Sequence, residues 1–126
     1  MNGSLTNDFS ISEARLAPTQ LVIAVRGSVD MFGAPELKRR LVEAIDQGVR
    51  EIVLDLSDAV FLDSTGLGAV LTAHKRLDAL GGRLVVVWAD SLVGRVFEVT
   101  GLDSILNFAT SREEAVAGLE AAAGGG

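Results

Sequence analysis

The chain has 126 residues, enough for one domain with its own core and too few for two. Hydrophobic residues make up 48%, which excludes a disordered chain, and a net charge of −6 argues against nucleic acid or an anionic membrane as direct partners. There is no cysteine, and His74 is the single histidine, so disulfides, thiolate zinc sites, a cysteine nucleophile and a histidine metal cluster within one chain are all excluded.

Residues 1–8 carry no element signal and are expected to form a flexible N-terminus. "MNGSLTNDFSIS" has no positive region followed by an apolar core, so it does not read as a signal peptide. "FSISEAR" at 9–15 alternates weakly and is expected to be an edge strand. "AP" at 17–18 marks a turn, and "TQLVIAVR" at 19–26 is a strand with apolar residues on both faces. A helix is predicted from about Pro35, with Leu37, Leu41, Ala44 and Ile45 as its apolar stripe and Gly48 as its stop. "KRR" at 38–40 reads as a solvated helix face. "REIVLDL" at 50–56 is a buried strand. A second helix is expected from about 64 to Leu80, ended by "GG" at 81–82, and "RLVVVW" at 83–88 is the next strand.

A third helix fits Ser91 to Thr100, with Gly101 as its stop, and Phe97 is expected to pack it. Trp88 is expected to end a buried strand. "ILNF" at 105–108 reads as a short strand. The last helix opens on "SREE", 111–114, a capping box in which Ser111 and Glu114 satisfy each other's backbone N–H groups. Ala115, Val116 and Leu119 are its apolar stripe, and 121–126 is expected to be a flexible Gly-rich tail. "LVVVW" at 84–88 is far too short to span a bilayer. The order β-β-α-β-α-β-α-β-α predicts an α/β fold. Its mixed, mostly parallel sheet has about 4–5 strands, covered by about 4 helices, with an antiparallel hairpin at the start. Functional loops are then expected at the carboxyl ends of the strands.

One such loop is "FLDSTGLGAV", 61–70. With Asp63 at the N-cap, its carboxylate accepts a backbone N–H from Thr65 or Gly66, and Leu62 and Leu67 take the spacing of a hydrophobic staple. Ser64 then occupies the first helical position with its hydroxyl free. The alternative frame puts the cap on Ser64 itself. Gly66 and Gly68 each cost about 1 kcal/mol relative to alanine in a helix. Close packing of the helix on the sheet, the approach of something to the backbone beside Ser64, or both together would account for them. A phosphate on Ser64 would suit the positive helix end while changing the local charge by about −1.5 to −2. The simpler reading is that "DST" only caps a helix.

"FLDSTGLGAV" resembles the signature of STAS-domain anti-sigma factor antagonists, an Asp-Ser-Ser/Thr-Gly-Leu-Gly run that carries a phosphorylated serine. The resemblance covers residues 9–120, with "VRGSVDMFGAPELKRRL", "EIVLDLSDAVFLDSTGLG", "LGGRLVVV" and "VFEVTGLDSILNFATSREEA" as further similar blocks. It implies a single STAS domain over 9–120. It places the phosphoacceptor on Ser64, with Thr65 as a neighbouring hydroxyl that is not the usual acceptor. It also implies that Asp30 lies near the acceptor and takes part in partner recognition or phosphorylation. "MFG" at 31–33 departs from the pattern and could retune partner choice.

The implied partners are an anti-sigma factor that is a serine kinase and a PP2C-type serine phosphatase. The chain itself would be a cytoplasmic, non-enzymatic binding module that needs no cofactor, with ATP and Mg²⁺ belonging to the kinase. Asp30, Met31, Phe32, Asp63, Ser64, Thr65 and Gly66 are the expected partner-binding residues. Met31 and Phe32 are expected as an apolar contact, and Asp30 as a carboxylate of little value to the core.

Other readings are weaker. His74 lies about 15 Å along the helix from Ser64 and shares a stripe with Leu67, Val70 and Leu71, so it is expected to be packed or half-buried rather than a catalytic base. The "GxSxG" elbow, the phosphate loop and the dinucleotide fingerprint are absent. The runner-up keeps the fold and makes the chain a scaffold subunit of a stress-sensing or lipid-transport assembly.

Overall fold

The computed structural model describes residues 9–88 and 92–125. The segment 1–8, the expected helix start at Ser91 and the final glycine lie outside the described residues. Two antiparallel strands come first, β1 (Ser10–Ala17) and β2 (Gln20–Val29). They are followed by α1 (Ala34–Asp46), β3 (Glu51–Leu62), α2 (Ser64–Ala79), β4 (Arg83–Val87), α3 (Leu92–Thr100), a 3₁₀ turn (Leu102–Ser104), β5 (Asn107–Ala109) and α4 (Arg112–Gly125). The sheet order is β1-β2-β3-β4-β5, with β2 to β5 parallel.

Strand alternation builds two cores. Leu21, Ile23, Val25, Ile52, Leu54, Leu84 and Val86 face one side, under Leu37 and Leu41 of α1, Val70 and Leu77 of α2, and Val93 and Phe97 of α3. Val22, Val53, Val85 and Val87 face the other side, under Ala115 and Leu119 of α4. Both faces of the parallel strands are covered, which is why these runs are continuously apolar. Trp88 stacks on Phe97 at 5.0 Å and meets Phe108 at 3.9 Å between ring centroids. β1, the edge strand, carries charge outward, and Glu13 there pairs with Arg40 of α1 at 2.7 Å.

Several expectations shift. The strand predicted to end at 56 runs to Leu62, because its second half keeps pairing with β2 from Arg26↔Asp58 to Val29↔Leu62. β4 stops at Val87, so Trp88 lies just past the strand it was expected to end, and its N–H donates to the Ala109 carbonyl at 3.2 Å. The strand expected at 105–108 begins only at Asn107, since a 3₁₀ turn leaves Ile105 exposed. The capping box is offset. Ser111 Oγ accepts the Glu114 N–H at 3.0 Å, whereas Glu114 Oε1 accepts the N–H of Thr110 at 2.7 Å rather than that of Ser111. Gly48, Gly81 and Gly101 stop their helices at φ of 103°, 77° and 76°.

Candidate functional site

The carboxyl ends of β2 and β3 meet side by side, Val29 opposite Leu62. The β2–α1 loop, with Asp30, Met31 and Phe32, therefore sits beside the start of α2. Asp63 N–H donates to the Val29 carbonyl at 3.2 Å. Asp63 is the N-cap of α2: its Oδ1 accepts from Thr65 N–H at 2.9 Å and Gly66 N–H at 3.0 Å. The alternative frame, with the cap on Ser64, does not occur. The Thr65 hydroxyl donates to the same Oδ1. The Asp63 N–H on the Val29 carbonyl thus ties the end of β2 to the start of α2. The Thr65 hydroxyl, and then nearby backbone N–H groups led by that of Gly66, hold Asp63 below the usual carboxylate range against its slight desolvation.

Ser64 is exposed at the first position of α2, and its hydroxyl makes no hydrogen bond among the described residues. The two neighbouring hydroxyls thus differ: Thr65 is engaged and Ser64 is free. Asp30 also does a structural task. Its Oδ1 accepts from Phe32 N–H at 3.0 Å and Gly33 N–H at 3.2 Å, closing the turn into α1, a local task outside the core. Met31 and Phe32 are 64% and 81% exposed, large apolar side chains held in solvent next to Ser64.

The two glycines part company. A Cβ on Gly66 would overlap Leu62 Cδ1 and come within 2.9 Å of the Val29 carbonyl oxygen. Gly66 is buried with its N–H taken by Asp63, so close packing of helix on sheet is enough to require glycine there. A Cβ on Gly68 would meet nothing within 4 Å. Gly68 lies one turn after Ser64, and Thr72 one turn further, its hydroxyl donating to the Gly68 carbonyl at 2.8 Å. This leaves a low stripe on α2 running away from Ser64. His74 is half-buried, as its stripe implied.

Sequence reasoning missed Phe61, which is 49% exposed. Once β3 is extended to 62, the adjacent Phe61 and Leu62 fall on opposite faces, and only Leu62 enters the core. It also missed Asp55, which is nearly buried on β3 opposite Val87. Burial pushes its carboxyl up, but the hydroxyl and N–H of Ser57 and the Arg112 guanidinium at 3.0 Å outweigh this and hold it low. Arg112 thereby fastens the start of α4 to the sheet.

The STAS domain description matches residues 12–115. BtrV of Bordetella bronchiseptica, which is named as an anti-sigma factor antagonist, is 36% identical over 102 residues, 81% of this chain and 88% of that protein. This chain belongs to the STAS-domain family of anti-sigma factor antagonists. The anti-sigma-B factor antagonist of Staphylococcus aureus is 32% identical over 85 residues, 68% of this chain and 79% of its relative. The solved structure of the anti-sigma factor antagonist SpoIIAA in its unphosphorylated form superposes with a TM-score of 0.77 at 26% identity, covering 88% of this STAS chain and 96% of SpoIIAA. The phosphorylated form of the Bacillus SpoIIAA superposes at 0.70 and 25% identity, over 87% and 99% of the two chains. Among the described residues of this STAS domain, no helix is long and apolar enough to cross a membrane.

Proposed function

We propose that this protein is an anti-sigma factor antagonist that works by partner switching, with Ser64 as the switch. In the unphosphorylated state it binds an anti-sigma factor serine kinase through Ser64 and the surrounding loop, and a sigma factor is released. The observation that carries this reading is the free, exposed Ser64 hydroxyl at the first turn of α2, beside a Thr65 hydroxyl already committed to Asp63. The existence of SpoIIAA in a phosphorylated form supports it.

In the transfer step, Ser64 Oγ attacks the γ-phosphorus of the kinase's ATP. A new O–P bond forms, the bond to ADP breaks, and the serine proton passes to a base on the kinase. The chain supplies only the positioned hydroxyl. The α2 N-terminus then offers the phosphate its positive end, while Asp63 and Asp30 repel it. A PP2C-type phosphatase hydrolyses the ester and restores the binding form. The protein acts as a cytoplasmic binding partner and kinase substrate, not as an enzyme.

The test is incubation with each candidate serine-kinase anti-sigma factor and ATP, followed by phosphate mapping by mass spectrometry. Label on Ser64, absent from Ser64→Ala, is the expected result. Label mainly on Thr65, or undiminished label on Ser64→Ala, overturns the assignment.

A further inference from the structure

The second half of β3 pairs only with β2, because β4 ends opposite Asp55. Along that vacated edge α3 takes the place of a strand. There Phe61, Arg95, Val96, Val99 and Thr100 line an open groove of about 400 Å³ with apolar walls. Val99 is 84% exposed. Arg95 is exposed and its guanidinium makes no ion pair or hydrogen bond among the described residues, a state it shares with Arg26, Arg76 and Arg83. The groove adjoins the Ser64 site: Phe61 lies two residues before the Asp63 cap and opposite Ser28, two residues before Asp30. Met31 and Phe32 thus stand on the β2 side of the Ser64 turn, and Phe61 and Val99 on the β4 side.

We infer that this groove is a second contact for the protein that engages Ser64, and that it receives one amphipathic helix of that partner, with its apolar face on Phe61, Val96 and Val99 and an acidic side chain against Arg95. The inference rests on the proposed partner-switching function. The apolar lining by Phe61, Val96 and Val99 suits the apolar face of a helix that presents anchors at i, i+3 or i+4 and i+7. An unpaired cation at the rim of an apolar groove selects an acidic side chain there. A second copy of the chain is a poor occupant, since pairing would bring together two chains that each carry −6. An anionic membrane is disfavoured for the same reason.

The probe is the serine-kinase anti-sigma factor that labels Ser64. Val99→Asp and Arg95→Glu are each expected to weaken its binding at least tenfold by calorimetry, with melting temperatures within about 1 °C of the parent, as for other exposed substitutions. The chain has no cysteine, so Val99→Cys provides a single attachment point for a photocrosslinker. The captured peptide is expected to be an acidic, amphipathic helical segment of the kinase. Undiminished binding of both charge variants, or crosslinks to a different kind of segment, overturns the groove while Ser64 labelling stands. A wild-type dimer in sedimentation that Val99→Asp abolishes assigns the groove to a second copy and also overturns it. If no kinase labels Ser64, the partner-switching reading fails first and the groove inference falls with it.

Discussion

The backbone N–H of Asp63 donates to the carbonyl of Val29 at 3.2 Å, so the strand end that leads into the loop with two exposed apolar side chains is fastened to the cap of the helix that displays Ser64. The Asp63 carboxylate holds the N–H groups of Thr65 and Gly66. Asp63→Ala keeps the backbone bond and is expected to release the cap. The loss should be about 1–2 kcal/mol, the upper range for an N-cap, or roughly 3–8 °C in melting temperature. Asp63→Asn keeps an acceptor oxygen and should lose less. Equal melting of all three proteins would show that the start of α2 is held by other contacts.

Acid should act through the same group. Asp63 and Asp55 both have folded-state pKa values below their ordinary ones, through the Thr65 hydroxyl and, for Asp55, through Ser57 and Arg112 acting against burial. A depressed carboxyl contributes stability that is fully present above its unfolded value, about 3.9, and is lost as pH falls through the lower folded value. Melting temperature should therefore be flat near neutrality and fall below about pH 4. The gap between the parent and Asp63→Asn should narrow on acidification; a gap that widens would reverse the assignment.

The two glycines of α2 should respond in opposite directions. Gly66→Ala forces a methyl into Leu62 and the Val29 carbonyl and is expected to cost about 1–3 kcal/mol. Gly68→Ala enters open space and should stabilise by up to about 1 kcal/mol. If the bare stripe beyond Ser64 is where a partner lies, Gly68→Ala should melt higher yet be phosphorylated more slowly. Urea unfolding and labelling rates on the same preparations separate the two effects.

Asp30 combines a turn and a charge. Asp30→Asn retains the Oδ1 that accepts from Phe32 and Gly33, so its melting should be nearly unchanged, while Asp30→Ala loses both bonds and about 1 kcal/mol. A kinase-binding defect in Asp30→Asn would then report the charge alone. Normal binding by Asp30→Asn with weak binding by Asp30→Ala would assign Asp30 to shaping the loop.

Phosphate on Ser64 should switch binding without unfolding the protein. The helix end favours the phosphate by about 0.3–1 kcal/mol, and repulsion from Asp63 and Asp30 offsets that gain. At an interface, an unpaired buried dianion costs several kcal/mol, and each 1.4 kcal/mol or so is tenfold in affinity. Phosphorylation, or Ser64→Asp, is expected to weaken kinase binding more than tenfold with circular dichroism and melting nearly unchanged. Unfolding of the modified protein, or undiminished affinity, would refute switching by surface charge.

Much of this protein was legible in the sequence. Alternation in β2 and β3 and the stripe Leu37–Leu41–Ala44–Ile45 reported local periods, and a period is a property of the chain itself. A cap at the start of α2 was also local, because a cap bonds the N–H groups two and three residues on, but the sequence allowed it on Asp63 or Ser64 and the structure decided for Asp63. The extension of β3 to Leu62 was not legible. "SDAVF" is a poor strand by itself and is held by β2, a neighbour distant in sequence.

The same limit hid the roles of individual side chains. The sequence by itself determined that small and polar residues open α2. Only the tertiary structure decided that Gly66 fills a contact with Val29 and Leu62 while Gly68 stands open, since that depends on which atoms lie across the gap. Asp30 reached its turn, Asp63 reached Val29, and Phe61 came to share a groove with α3 for the same reason. A residue's chemistry travels with its sequence, but its partners are set by packing between segments that only the folded sheet brings together.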